Sequence, residues 1–211
     1  MMQKTKFHGL EARYNHIKYI DQQRAWLSHP DFFDALVDLA HIFVRHQAHD
    51  NFAITLLHRH HDLQAGYAMV HSQGAKGEDF CYMEELGSRP IFPCAYHYHL
   101  DGATEFAPYE FSSTPIPMPD EAFLREVAIY LRQCNLCEVI AVTHLDHFGQ
   151  IWLESLALDR QGTVAIVRQA GQELAGDDYV LTEWAIVQGD NGAQLMGTRA
   201  CSDKESGHTR T

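Results

Sequence analysis

Apolar residues recur at helical spacing in two segments of the chain. Segment 31–46 carries them at positions i, i+4, i+7 and i+11, in the order Phe32, Leu36, Leu39 and Phe43. This period places them on one face of an amphipathic helix, with charged residues on the opposite face. Segment 120–133 shows the same kind of stripe after a proline-rich connector. The pattern therefore predicts two principal helices.

Elsewhere, apolar and β-branched residues form short runs separated by turn residues, which is typical of β-strands. We predict ten strands, at 52–58, 67–72, 79–84, 94–100, 105–111, 138–145, 151–158, 163–168, 179–188 and 193–200. Short turns between successive strands favour antiparallel pairing. So many strands with two helices predict an α+β protein with a large, mainly antiparallel, curved or barrel-like sheet.

Composition is that of an ordinary globular protein, with 45% hydrophobic and 21% charged residues. We expect one domain over residues 1–201 and a disordered polar tail over 202–211. No apolar run is long enough to cross a bilayer, the first residues lack the apolar core of a secretory signal, and the five cysteines are odd in number. These features predict free thiols, no membrane association and a cytoplasmic location. The oligomeric state is left open.

The net charge of the chain indicates which classes of partner it can bind. The formal net charge of −12 argues against binding a nucleic-acid backbone. Histidine is unusually frequent, with 15 residues, and protonation of all of them would change the formal charge from −12 to about +3. Charge and solubility should therefore depend steeply on mild acidification.

Two His-x-His pairs are the strongest candidates for chemistry. On a strand, residues i and i+2 point to the same face, so His58 and His60, like His97 and His99, would each present two imidazoles together. Such a pair can hold zinc, iron or copper when a third ligand is supplied. Candidates for that ligand are the other pair, Glu105 and Glu110. The alternative is that these histidines are solvated at strand ends.

Carboxylates inside apolar strands are a second signal. Glu154 shares a strand face with Trp152, and burial there would raise its pKa and suit it to proton transfer. Glu183 stands in a similar apolar setting. The alternative is that both glutamates are exposed or pair with Arg168 or Arg199.

Cys134 and Cys137, followed by His144 and His147, have a zinc-like spacing. If 138–145 is one strand, however, Cys137 and His144 lie about 23 Å apart, at roughly 3.3 Å per residue. Core packing of the two cysteines is the favoured interpretation.

Two short motifs carry a resemblance. With LLHRH at 56–60 and PYEF at 108–111, the chain resembles a group of small, mostly fungal proteins. His61 departs from that pattern, in which phenylalanine is usual. The resemblance implies no activity, but it favours His58, His60 and Glu110 as site residues.

We expect an enzyme that acts on a small molecule through a histidine and carboxylate pocket, with or without a metal. The candidate catalytic residues are His58, His60, Glu110 and Glu154. The candidate metal ligands are His58, His60, His97 and His99. The alternative is a non-catalytic binding or assembly protein whose charge responds to pH. The sequence has no phosphate-binding glycine loop, GxSxG, HExxH or CxxCH motif, so nucleotide, serine-hydrolase and c-type haem chemistry have no local support.

Overall fold

The computed structural model describes residues 7, 9–75, 77–99, 105–146, 149–157, 162–168, 179–190 and 192–202. The helices are α1 (Leu10–His16), α2 (Ile20–Gln23), α3 (Phe32–Arg45) and α4 (Glu121–Gln133), with a 3-10 helix at Arg24–Ser28. The two helices predicted from the apolar period correspond to α3 and α4. The short helices α1 and α2 lie where the sequence shows no firm period.

Ten strands follow the predicted runs closely. They are β1 (Phe52–Leu56), β2 (Tyr67–Gln73), β3 (Asp79–Glu85), β4 (Phe92–Tyr98), β5 (Phe106–Ser112), β6 (Ile140–His144), β7 (Trp152–Ala157), β8 (Gly162–Val167), β9 (Tyr179–Gly189) and β10 (Gly192–Ser202). Ser202 therefore ends a strand and does not begin the tail, and the remainder of the predicted tail lies outside the described residues.

The strands form one closed barrel in the order β1-β6-β4-β5-β2-β3-β8-β7-β10-β9, with β9 paired again to β1. Among the described residues, eight of the ten neighbouring pairs are antiparallel. The pairs β2–β5 and β7–β10 are parallel. The expectation of an α+β protein with a barrel-like sheet is confirmed, but the sheet is mixed.

Alternate residues of β1 point to opposite faces of the barrel wall, one face packed against helices and the other facing the interior. Ile54 and Leu56 belong to the core that α3 and α4 build, whereas Thr55 lines the central cavity. Phe43 of α3 is fully buried in that core, with its ring centroid 4.8 Å from that of Phe123. The two long helices therefore cover one side of the barrel wall and leave its other face for polar residues.

Helix α1 packs elsewhere. Its Leu10 and Tyr14 join a second core with Tyr109 and Phe111 of β5. In the described part of the chain, no helix is both long and apolar enough to cross a membrane.

Candidate functional site

A cavity of about 40 Å³ lies inside the barrel, with room for roughly three water molecules. Its wall takes side chains from eight strands and from the segments that follow β1 and β6: Thr55, His58, His60, His71, Cys94, Tyr109, Glu110, Thr143, His144, Asp146, Glu154, Thr182, Glu183 and Arg199. The lining is polar and rich in ionisable groups, which an interior does not gather for packing alone.

The chain just after β1 delivers two imidazoles to this cavity. The Leu57 amide donates to the Val139 carbonyl at 2.7 Å, and the Arg59 amide donates to the Lys18 carbonyl at 3.0 Å. These bonds hold the segment extended, so His58 and His60 lie on one side with their ring centroids 4.8 Å apart. The predicted i, i+2 geometry is therefore present, although β1 itself ends before His58.

The tautomer of His58 is set by the backbone. Its Nδ1 lies 2.7 Å from the Leu56 carbonyl oxygen, which can only accept, so Nδ1 carries the proton. In the neutral ring the lone pair is then on Nε2. That atom is buried and makes no well-formed hydrogen bond to a described residue, although the Cys201 thiol lies near enough to interact with the ring.

Two further groups lie beside the two imidazoles. His60 Nε2 is 3.6 Å from Glu154 Oε1, and Cys201 Sγ is 3.8 Å from His60 Nδ1. One ligand atom from each of His58, His60, Glu154 and Cys201 can be chosen so that all four lie within 4.8 Å of one another. Four potential metal ligands thus converge on one point of the wall.

The electrostatics of this group are coupled. Burial opposes the charged form of His60, but the neighbouring Cys201 and Glu154 outweigh it and raise the pKa of the imidazole well above its usual value. Burial likewise opposes ionisation of Cys201, yet His60 and His58 together outweigh it and lower the pKa of the thiol. The group therefore favours an imidazolium beside two anions, which is also a site for a cation.

Glu154 is buried as predicted, but its expected pKa shift has the wrong sign. Burial alone would raise the pKa, whereas His60 and Arg199 together hold it well below the usual range. Thr163 Oγ1 donates to Glu154 Oε1 at 2.6 Å and fixes the carboxylate. An ionised carboxylate in this position suits a ligand or proton acceptor better than a proton donor.

Arg199 is the central cation of the cavity. Its guanidinium lies 2.8 Å from Asp79, 3.7 Å from Glu183 and 3.8 Å from Glu154. The alternative that both buried glutamates pair with Arg199 is therefore confirmed. Burial raises the pKa of Glu183, because Arg199 and a hydrogen bond from Thr198 compensate only part of the desolvation.

A second group occupies the wall formed by β2, β3 and β5. His71 Nε2 lies 3.1 Å from Glu110 Oε2, and its Nδ1 lies 3.5 Å from Asp79 Oδ2. Cys81 completes the group, with ligand atoms of His71, Cys81 and Glu110 all within 4.8 Å of one another. Burial raises the pKa of the Cys81 thiol to about 11. Glu110, favoured by the sequence, thus lies in the cavity wall but in a different group from His58 and His60.

Comparisons of the chain with family models, with curated proteins and with solved structures find no match. The chemistry of the cavity residues is therefore the basis for a functional proposal.

His97 and His99 require a correction to the expected metal set. Neither residue lines the cavity, and in the described ranges neither belongs to a group of potential metal ligands. His97 is buried with its ring centroid 5.6 Å from that of Tyr109, which packs with α1 in the second core. Burial, with His99 and the cationic side chain of Arg13, lowers its pKa to about 4. The two His-x-His pairs share a motif but not a site.

The remaining candidates also separate. Glu105 pairs with Arg132 at 3.0 Å. Cys134 and Cys137 pack against the core of α3 and α4, whereas His144 lines the cavity beside Asp146 at 2.8 Å.

His147 lies outside the described residues. The sequence pointed to Arg199 only as a partner for glutamate. It did not single out His71, which lines the cavity, or Cys81 and Cys201, which complete the two groups of potential ligands. The sequence held one clue to Cys81: it stands two residues after Asp79 on β3, so the two side chains point to the same face of the sheet.

Proposed function

We propose that the barrel interior is a metal-dependent active site for a small polar molecule, with His58, His60, Glu154 and Cys201 as the metal ligands. The observation that carries this proposal is the convergence of four potential ligand atoms around the buried Nε2 of His58, which makes no well-formed hydrogen bond to a described residue. Leaving such an atom unpaired costs free energy of about 1–3 kcal/mol. A ligating histidine typically donates its other ring N–H to a backbone carbonyl, as His58 does to Leu56.

The donor set favours zinc. Imidazole, thiolate and carboxylate are the three ligand types of zinc, whose bond lengths are about 2.0–2.3 Å. Atoms within 4.8 Å of one another need a contraction of about 1 Å to share such an ion. Two histidines and one carboxylate also match non-haem iron, and a thiol with imidazoles also suits copper. The metals named from the sequence therefore remain the candidates, with zinc first.

The rest of the cavity argues for chemistry beyond a structural metal. A structural zinc needs its ligands and a closed shell. Here Arg199, Glu183 and the His71–Glu110 pair face the same space. They would hold and orient a polar group beside the ligands. A cavity of about 40 Å³ admits only a small molecule or the polar end of a larger one. A bound divalent metal would supply Lewis acidity or an acidified water.

The test is metal content of protein purified without a histidine tag, measured by mass spectrometry after dialysis against buffered zinc. His58→Gln removes the free lone pair and should lower the bound metal by one equivalent per chain. His29→Gln, at an exposed position, is the matched control and should bind as the wild type does. Equal metal content in His58→Gln and wild type would contradict the proposal.

A metal-free thiol mechanism is the second candidate, because Cys201, His60 and Glu154 lie in the order of a nucleophile, a base and an orienting acid. The rate of Cys201 alkylation by iodoacetamide distinguishes the metal-dependent mechanism from the thiol mechanism. With a bound metal, reaction should be slow until a chelator is added. If the chelator has no effect and the thiol reacts fast, the thiol mechanism is favoured.

A further inference from the structure

The second group of potential ligands lies in a different part of the barrel wall from the first. His71 lies on β2, Cys81 opposite it on β3, and Glu110 on the neighbouring β5. The pairing of these strands fixes the three residues, since His71 and Cys81 are direct cross-strand partners and Met69 pairs with Glu110. The group shares no residue with His58, His60, Glu154 and Cys201.

One buried polar atom at this group lacks a hydrogen bond within the described part of the chain. It is the hydroxyl of Tyr14, a residue with no exposed surface. Tyr14 belongs to the same buried cluster as Cys81, and after burial the charges of Glu110 and Cys81 do most to raise the pKa of its hydroxyl. Buried polar atoms are normally paired, and an unpaired one beside potential ligands marks a place where a further group belongs.

The charge around the group also favours a cation. Glu110 and Asp79 flank His71 at 3.1 Å and 3.5 Å. Asp79 also contacts Arg199, which in turn reaches Glu154 of the first group. Glu110 of the second group is therefore paired with His71, and the neighbouring Asp79 shares His71 and Arg199. A divalent ion would pair with Glu110 and displace one proton from Cys81 and one from His71, whose two ring nitrogens both face carboxylates.

We propose that His71, Cys81 and Glu110 form a second site for a divalent metal of the zinc class, separate from the first. A nitrogen, a sulfur and a carboxylate oxygen are three protein ligands, which leaves a fourth position open towards the cavity. This site stands on its own residues and does not depend on the metal at His58.

The test is the stoichiometry of Zn²⁺ and Co²⁺ bound to the full-length, untagged protein after removal of metal with a chelator. Wild type should bind two equivalents per chain, and Cys81→Ser and Glu110→Gln should each bind one. Cys137→Ser removes a half-buried thiol outside both groups and is the matched control, which should bind two. Far-UV circular dichroism checks the fold of each variant. Glu110→Gln keeps the side-chain volume, so the test survives if Cys81→Ser does not fold.

The Co²⁺ complex adds a spectroscopic readout. Cys81→Ser should remove part of the thiolate-to-cobalt absorption, and the double variant with His58→Gln should bind no metal. If wild type binds one equivalent that Cys81→Ser loses and His58→Gln retains, the second site stands and the proposed function falls. If Cys81→Ser and Glu110→Gln bind as much metal as wild type, the second site is refuted.

Discussion

Acid should destabilise this protein partly through a single histidine, His97. The residue is 6% exposed, and its ring stands edge-on to Tyr109. Burial, His99 and Arg13 all disfavour its charged form, which lowers its pKa to about 4. In the unfolded chain the same imidazole has a pKa of about 6.5.

The sign and size of the effect follow from proton linkage. Between pH 6.5 and pH 4 the unfolded chain binds a proton at position 97 that the folded protein does not. Stability from this residue is therefore complete above pH 6.5 and is lost as the pH falls towards 4. With about 1.36 kcal/mol per pKa unit, the loss between pH 7 and pH 4 is about 3 kcal/mol.

Urea unfolding of metal-free protein at pH 7 and pH 4 measures this loss. His97→Gln retains a polar side chain without a titrating group. Its free energy of unfolding should therefore fall by about 3 kcal/mol less than that of the wild type. Carboxylates such as Asp79 titrate in both proteins and cancel in the comparison. The exposed His29→Gln should follow the wild type. Equal losses in His97→Gln and wild type would refute the reasoning.

Two further predictions use matched pairs measured by urea unfolding. Phe43→Ala should lower the free energy of unfolding by about 3–5 kcal/mol, because the ring is fully buried. Phe33→Ala, at 44% exposure, should lower it by less than about 1 kcal/mol. Similar losses in the two variants would contradict the assigned packing of α3. Asp120→Ala should cost about 1 kcal/mol, because its carboxylate accepts hydrogen bonds from the Ala122 and Phe123 amides at the start of α4. Asp31, at the start of α3, makes no side-chain cap hydrogen bond among the described residues, so Asp31→Ala should cost under about 0.5 kcal/mol. If the two variants lose equal stability, the cap hydrogen bonds of Asp120 do not stabilise α4.

Local periodicity predicted the elements of this fold but not their arrangement. The stripe from Phe32 to Phe43 repeats within a single helix, so its period can be read along the chain. Barrel closure depends on pairs such as β1 with β9, whose partners are distant in sequence. The parallel pairs β2–β5 and β7–β10 also join strands that a hairpin pattern does not connect. Short turns suggested antiparallel neighbours and carried no information about these contacts.

For the same reason, only part of the candidate site could be predicted from the sequence. His58 and His60 could be predicted because side-chain direction alternates locally, and Glu154 because a carboxylate stood among apolar residues. Cys201 could not, since only the parallel pairing of β10 with β7 places it opposite Glu154. His97 carries the same local motif as His58, but its strand places it against Tyr109, which packs with α1 in the second core. Motif spacing gives the direction of a side chain, whereas strand order decides what it meets.

The pairing of β1 with β9, here called the seam, closes the barrel and affects how the protein folds. Thr55 donates to the Thr182 carbonyl across 127 residues of chain, at 3.1 Å, and the two strands share only two paired positions in the described residues. Forming such a distant contact carries a large loop-closure entropy, and folding dominated by distant strand pairs is slow, on the order of milliseconds to seconds. Until the seam forms, β1 and β9 are open sheet edges that a second chain can pair with. We therefore expect the refolding yield to fall as protein concentration rises, with intermolecular strand pairing competing directly against closure.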